Sequence, residues 1–312
     1  MALVLVSKRQ DFPVDTWRRE MVAAIPGLQF YVWPDLGEVR KIRMAVFDSN
    51  WAPPDIFQQL PSLECIVYLG HGASDFLQRP DLPKSIPVMR LKDPGIITYM
   101  VEYVLLYLLS HRRAQATYRK QQRERRWLAH VAPFPAQVRV AVLGLGSIGQ
   151  RLTQVLVSLG YQVNGWSRGP HDLPEVACYH GYDQIGTCLS DCDYVVCVLP
   201  ETRETLGIIS ADTLAVMKRG ACFINVGRGG LVVDADLLAA LDSGHLSGAV
   251  LDVFRTEPLI AESPLWSHPK VSVTPHEAGG APERSLTQVL ENYRRLLDGR
   301  PLINIADPAR GY

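Results

Sequence analysis

The sequence predicts an α/β protein of two domains, each a doubly wound parallel sheet with helices on both faces. Three observations lead there. The chain runs to 312 residues with 47% hydrophobic side chains, more than one ordinary core accommodates. Through its first third, short apolar runs alternate with helical patterns, as parallel sheets require of their crossovers. The same rhythm then restarts at Val138, after a long helical stretch.

In chain order, Leu3–Val6, Gln29–Trp33, Met44–Phe47, Cys65–Leu69 and Val88–Leu91 read as strands, and Thr16–Ile25 carries apolar residues at helical spacing. Asp93-Pro94-Gly95 breaks the pattern. One long helix is expected from about Ile97 to Arg126, apolar over Val101–Leu109 and basic at its end, from Arg112 to Arg126. Pro133 and Pro135 close that connection. Val138–Leu143 is the next strand, Ser147–Leu159 a helix stopped by Gly160, and Val163–Ser167 a second strand. Tyr194–Leu199, Cys222–Val226, Ala249–Val253 and Val271–Thr274 follow as strands, with helices at Ala211–Met217 and Asp234–Leu241 between them. The last helix, Pro282–Leu297, is expected to return to the first domain.

Charge and cysteine content narrow the function classes. Lys+Arg and Asp+Glu both number 32, so no net field favours nucleic acid or an anionic membrane. The basic end of the long helix reads as a solvated face or an arm against a second subunit rather than a nucleic-acid reader. No stretch reaches membrane-span length, and the apolar start Ala2–Val6 is too short for a signal segment, which predicts a cytoplasmic protein. Of the six cysteines, Cys188, Cys192 and Cys197 are clustered, but no C-x-x-C pair exists, so reduced, mostly buried thiols and no metal are expected.

Gly144-Leu145-Gly146-Ser147-Ile148-Gly149 fits G-x-G-x-x-G, between an apolar strand and an amphipathic helix. In that setting Gly144 permits the turn, Gly146 opens the backbone to a pyrophosphate, and Gly149 lets the helix approach the sheet, so a dinucleotide is expected at the helix N-terminus. The following strand ends Trp166-Ser167-Arg168. An NAD site usually places a carboxylate there for the ribose hydroxyl, whereas an Arg suits a 2′-phosphate. The reading therefore favours NADP over NAD, against a merely solvated Arg168; Asp172 could serve only through a loop.

Three later segments stand near strand ends: Asn225-Val226-Gly227-Arg228-Gly229, Leu251 to Pro258, and Thr274-Pro275-His276. Ligands in open α/β sheets bind beyond the carboxyl ends of strands. A small 2-keto acid needs a fixed cation for its oxygens, which Arg228 supplies. It also needs a group that protonates the carbonyl oxygen, which suits His276. Glu257 can orient the imidazole and favour its charged form.

With these motifs in this order, the chain resembles the D-isomer-specific 2-hydroxyacid dehydrogenase family over nearly its whole length, most strongly from Val140 to His276. Chain length, Trp166-Ser167-Arg168 and the terminal Ala309-Arg310-Gly311-Tyr312 are most similar to its glyoxylate/hydroxypyruvate reductase A group. The resemblance implies a flavodoxin-like substrate domain (1–98 plus 288–312) and a Rossmann cofactor domain (99–287). It implies Arg228 as the substrate-binding Arg, Glu257 as the dyad carboxylate and His276 as the acid/base. Backbone amides of Leu69-Gly70-His71-Gly72 would receive the substrate carboxylate. Leu199, Pro200, Glu201, Thr202, Val226, Gly227 and Asp252 would line the nicotinamide side. A homodimer built on the long helix is expected. So is NADPH-dependent reduction of glyoxylate to glycolate and hydroxypyruvate to D-glycerate.

Two residues depart from the family pattern: His71, where a small residue is common, and Glu277 after the catalytic His. Trp51 reads either as a cap that restricts the pocket to short acids or as a hydrophobic loop anchor. Formate dehydrogenases of this fold carry Gln in place of Glu257. Phosphoglycerate dehydrogenases often append a domain, and no residue follows Tyr312; D-lactate dehydrogenases keep a strand-end carboxylate. The alternatives left are a reductase of another 2-keto acid and a cofactor-sensing corepressor, which turnover would separate.

Overall fold

The computed structural model describes residues 1–9, 12–49, 51–70, 73–91, 94–279 and 285–307. Asn50, His71, Gly72, Asp93, the expected helix start at Pro282 and the terminal Ala309-Arg310-Gly311-Tyr312 lie outside the described residues. The chain divides into two units, Met1–Gly95 with Ala281–Tyr312, and Ile96–Gly280.

The first unit contains β1 (Ala2–Val6), α1 (Val14–Ala24), β2 (Gln29–Val32), β3 (Ile42–Phe47), β4 (Cys65–Tyr68), the short α2 (Ser74–Leu77) and β5 (Val88–Arg90). All strand pairs are parallel, in the order β2-β1-β3-β4-β5. This is the flavodoxin-like order. All five residues of β1 are buried, as expected of a parallel strand covered on both faces. Successive side chains divide between two cores. Leu3, Leu5, Met44, Val46 and Val67 meet Trp17 and Met21 of α1, together with Leu286, Val289 and Tyr293 of the last helix, α9 (Leu286–Leu297). Val4, Val6, Ala45, Phe47 and Ile66 pack on Phe57 and Phe76 on the opposite face.

The second unit contains most of α3 (Pro94–Arg112) and then α4 (Gln115–Arg123), β6 (Arg139–Leu143), α5 (Ser147–Ser158), β7 (Gln162–Ser167), β8 (Val176–His180) and α6 (Ile185–Leu189). β9 (Tyr194–Cys197), α7 (Ala211–Val216), β10 (Cys222–Asn225), α8 (Asp234–Asp242), β11 (Gly248–Leu251) and β12 (Val271–Val273) complete it. Its seven parallel strands run β12-β11-β10-β9-β6-β7-β8, a Rossmann order with one added strand. The order reverses between β6 and β9, and the carboxyl ends of strands at such a reversal are where open α/β sheets take ligands.

The single helix expected from Ile97 to Arg126 is two helices. α3 ends at Arg112, Ala114 turns left-handed (φ 52°), and α4 starts at Gln115. The bend lets the chain fold back on itself. His130 N donates to the Tyr118 hydroxyl at 2.8 Å, and Arg112 Nη1 donates to the Pro133 carbonyl at 2.6 Å. β8 is an edge strand that the sequence reading did not anticipate. All six cysteines are free, five of them buried. Among the described residues no helix is long and apolar enough to cross a membrane, and no cluster of His, Cys, Asp or Glu could hold a metal.

Candidate active site

The glycine-rich turn leaves β6 directly into α5. Gly144 has φ +107°, which a side chain would resist, and a Cβ on Gly149 would lie 1.8 Å from the Gly144 carbonyl oxygen. The turn is thus closed by contact of its own backbone. Gly146 is the opposite case: exposed, with no protein atom within 4 Å of a built Cβ. The α5 N-terminus starts at Ser147, and no side chain caps it. Open space beside uncapped N–H donors fits a pyrophosphate, so these residues suit a dinucleotide. Ile148 is half-buried behind them.

At the end of β7, Ser167 is turned inward, its hydroxyl donating to the Gly169 carbonyl at 2.7 Å. Arg168 points out, its side chain 83% exposed, with Nη1 3.2 Å from Glu204 Oε2. Tyr182 donates to the Glu204 backbone carbonyl and so ties that loop to the edge of the sheet. The loop after β9 begins with buried Leu199 and exposed Pro200 and Thr202. It is stapled by Thr205, whose hydroxyl donates to Pro200 O (2.7 Å) and accepts from Thr202 N (2.8 Å). Glu201 Oε2 accepts from Gly230 N at 2.9 Å and joins this loop to the one after β10.

The catalytic candidates stand on the loops after β10, β11 and β12. Fully buried Asn225 shapes the first: Gly227 N donates to its Oδ1 (3.1 Å), and its Nδ2 donates to the Arg228 carbonyl (2.9 Å). Val226 is buried behind Gly227. Gly229 admits the β11 loop, since a Cβ there would sit 1.8 Å from the Phe254 carbonyl carbon. Arg228 Nη1 donates to the Gly227 carbonyl at 2.7 Å.

Glu257 Oε1 accepts from Phe254 N at 2.9 Å, and Oε2 lies 2.8 Å from His276 Nδ1. Burial pushes the Glu257 carboxyl up. The His276 hydrogen bond and charge, the Phe254 N–H and the Arg228 cation outweigh burial, so it titrates below the ordinary carboxylate range. The three residues are therefore one electrostatic group: a carboxylate held ionised, an imidazole bonded to it through Nδ1, and a guanidinium near enough to act on the carboxylate.

Asp252 is buried (1% exposed) and lies under this group. Its carboxylate accepts from Thr274 Oγ1 (2.5 Å), Glu277 N (2.8 Å) and Ala278 N (2.9 Å), and its carbonyl accepts from His276 N (2.9 Å). The sequence reading put Asp252 on the nicotinamide side. The structure adds a role in holding the His276 loop, which leaves one acceptor site on Oδ2. Sequence reasoning gave no role to Tyr103, Thr205 or Glu204, and named Thr274 only as part of the His276 segment. Only the Thr202-x-x-Thr205 spacing, a turn-forming pattern, carried a local signal.

In the first unit, Leu69 follows β4, buried, with its N–H donating to the Phe47 carbonyl at 2.8 Å. Gly70 lies against Tyr68, whose hydroxyl would be 2.2 Å from a Cβ there. His71 and Gly72 are outside the described residues. Trp51 packs edge-on to Trp33 (ring centroids 5.0 Å apart), with Lys8 Nζ 3.9 Å from its ring centroid.

Comparison with known proteins places this arrangement. The model of the D-isomer specific 2-hydroxyacid dehydrogenase NAD-binding domain matches residues 105–278. A glyoxylate/hydroxypyruvate reductase A of Photorhabdus laumondii is 35% identical over 309 residues, 96% of this chain and 97% of that one. A D-isomer specific 2-hydroxyacid dehydrogenase of Xanthobacter autotrophicus, crystallised with NADPH and MES, superposes with TM-score 0.86 at 41% identity, covering 100% of this chain and 99% of that one. The NADPH-dependent glyoxylate/hydroxypyruvate reductase of Sinorhizobium meliloti, in complex with NADP and sulfate, gives TM-score 0.87 at 33% identity over 100% of both chains. The chain therefore belongs to the D-isomer specific 2-hydroxyacid dehydrogenase family and is a nicotinamide-dependent oxidoreductase.

Proposed function

We propose that this protein is an NADPH-dependent reductase of small 2-keto acids, turning glyoxylate into glycolate and hydroxypyruvate into D-glycerate. The observation that carries the reading is the bond between His276 Nδ1 and Glu257 Oε2 at 2.8 Å beside Arg228, at the carboxyl ends of β10, β11 and β12. The second unit is the cofactor domain. NADPH supplies the hydride that reaches the keto carbon. The open turn at Gly146 and the α5 N-terminus suit its pyrophosphate, and Arg168 suits its 2′-phosphate. The chain resembles two structures holding NADPH or NADP.

His276 protonates the carbonyl oxygen through Nε2 as the keto carbon is reduced. Glu257, kept ionised, stabilises the charged imidazole before the transfer and fixes the ring through Nδ1. Arg228 holds the substrate oxygens and stabilises the negative charge that grows on the carbonyl oxygen. In the reverse direction His276 takes the hydroxyl proton. The first unit is the substrate domain, with the backbone of the loop beginning Leu69-Gly70 assigned to the substrate carboxylate.

We assign a homodimer in the cytoplasm. On α3, Val101, Val104 and Leu108 are buried, whereas Tyr99, Leu106 and Leu109 are exposed, as are Trp127, Val131 and Phe134 beyond α4. An apolar face of this kind supports association with a second copy. The free cysteines support a reducing compartment. Sedimentation should give a dimer at micromolar concentration; a monomer would overturn that assignment. The activity itself is tested with a panel of 2-keto acids and NADPH. Turnover on glyoxylate and hydroxypyruvate, reduced about 100-fold or more in His276→Ala with NADPH still bound, is the expected result. Nucleotide binding without turnover would overturn the reading in favour of a cofactor sensor.

A further inference from the structure

We infer that Tyr103 and Thr274 are positioning residues for the reaction: with Asp252 they form a hydrogen-bonded chain that holds the His276 loop in its working conformation. The inference rests on the reading of His276 as the acid/base.

His276 has φ +59°, a left-handed backbone that residues with side chains adopt when their surroundings impose it. Asp252 is one part of those surroundings that the loop touches. It takes the N–H groups of His276, Glu277 and Ala278 and the hydroxyl of Thr274, four bonds from one buried residue to a five-residue stretch. Two consecutive N–H groups can converge on one carboxylate only while the backbone keeps this turn.

The direction of each bond in the chain follows from the donors available. A carboxylate only accepts, so the Thr274 proton is committed to Asp252 Oδ1 at 2.5 Å. The Thr274 oxygen then accepts from the Tyr103 hydroxyl, 2.6 Å away. Burial pushes the Tyr103 phenol far above its ordinary range, against the opposing effect of the Thr274 bond and with Asp252 and Tyr107 adding to it, so Tyr103 keeps the proton it donates. Tyr103 belongs to α3, whose Met100, Val101, Val104 and Leu108 are locked into the core with β6 and β9. The chain thus ties the carboxylate under the acid/base loop to helix α3. Thr274 orients Asp252 and Tyr103 orients Thr274. The His276 ring, pinned to Glu257 through Nδ1, then presents Nε2 to the substrate in a fixed direction.

Loss of such a device degrades alignment in the chemical step and leaves cofactor affinity intact. Misplacement of a reacting group by about 1 Å can cost on the order of 100-fold. The test uses the full chain, NADPH and the best 2-keto acid of the panel. Thr274→Val, Thr274→Ser, Tyr103→Phe, the double variant and His276→Ala are compared for kcat and for the KM of NADPH. Thr274→Val should lower kcat about 10- to 100-fold with the NADPH KM within about twofold, and Thr274→Ser should stay within about threefold of the parent. Tyr103→Phe, which keeps shape and packing, should lower kcat by about 3- to 10-fold. The double variant should be no slower than Thr274→Val, because Tyr103 acts through Thr274.

The positioning role is overturned if Tyr103→Phe keeps the parental kcat. It is also overturned if serine fails to rescue at position 274, or if the two losses multiply. Should Thr274→Val not fold, the isosteric Tyr103→Phe decides alone. Full turnover by His276→Ala would instead remove the acid/base reading, and this inference with it. Slow His276→Ala beside a fast Tyr103→Phe would remove only this inference.

Discussion

Replacing Arg168 should perturb cofactor choice, by an amount that follows from its exposed pairing with Glu204. A charge-assisted hydrogen bond to a 2′-phosphate is worth about 1.5–3 kcal/mol. Arg168 is not idle in its absence: Nη1 lies 3.2 Å from Glu204 Oε2, and the side chains are 83% and 57% exposed. An exposed pair of this kind contributes about 0–1 kcal/mol, and the phosphate must displace it against the Glu204 charge. That leaves roughly 0.5–3 kcal/mol, or about 2- to 150-fold in kcat/KM for NADPH over NADH. Arg168→Ala should remove that preference, and Arg168→Asp should reverse it by offering the NADH ribose an acceptor. Glu204→Gln should raise kcat/KM for NADPH by about 2- to 5-fold. Initial rates with both cofactors, at low and high salt, measure all of this, and the preference should shrink as salt screens the exposed charges. A parental preference for NADH, or an Arg168→Asp variant that still prefers NADPH, would refute the reasoning.

Substitutions at Glu257 and Gly149 test the geometry further. Glu257→Gln should lower the pH optimum of the reduction, because the protonated imidazole loses its negative partner; an unchanged profile would dissolve the dyad. Glu257 is also held below its ordinary value of 4.5, so its stabilising contribution is present above that pH and lost as pH falls through the lower folded value. The stability gap between parent and Glu257→Gln should therefore close in acid, as thermal melts across pH would show. Gly149→Ala should destabilise by about 1–3 kcal/mol, since its Cβ would meet the Gly144 carbonyl oxygen at 1.8 Å. It should also raise the NADPH KM by moving the turn; parental melting and KM would mean the turn is not closed by that contact.

What the sequence made legible was whatever repeats at short range. The strand–turn–helix at Gly144–Gly149 and the alternation of apolar runs identified both sheets, because period and glycine spacing are local signals. The break at Ala114 was not legible: the surrounding His-Arg-Arg-Ala-Gln is free of Gly and Pro, and the contacts that accompany the turn, with His130 and Pro133, come from further along the chain. β8 escaped because Val176–His180 is an edge strand without a clear apolar face. In the candidate site, Arg228, Glu257 and His276 were singled out by residue type and strand-end position, and the structure brings His276 and Glu257 within 2.8 Å. The residues that hold them were not, since Tyr103 meets Thr274 across 171 positions and Arg168 meets Glu204 across 36. Partners brought together only by folding leave no spacing to read.

The proposed reaction is hydride transfer from NADPH to the keto carbon of a small 2-keto acid. It is tested most directly by following the hydride itself. NADPH carrying deuterium at the transferred position of nicotinamide C4 is incubated with glyoxylate, or with hydroxypyruvate, in ordinary water, and the product is examined by NMR. Glycolate or D-glycerate should carry the deuterium on the carbinol carbon, formed at a rate that falls about 100-fold or more in His276→Ala. Product lacking the label, or no product from either acid while NADPH remains bound, would contradict it.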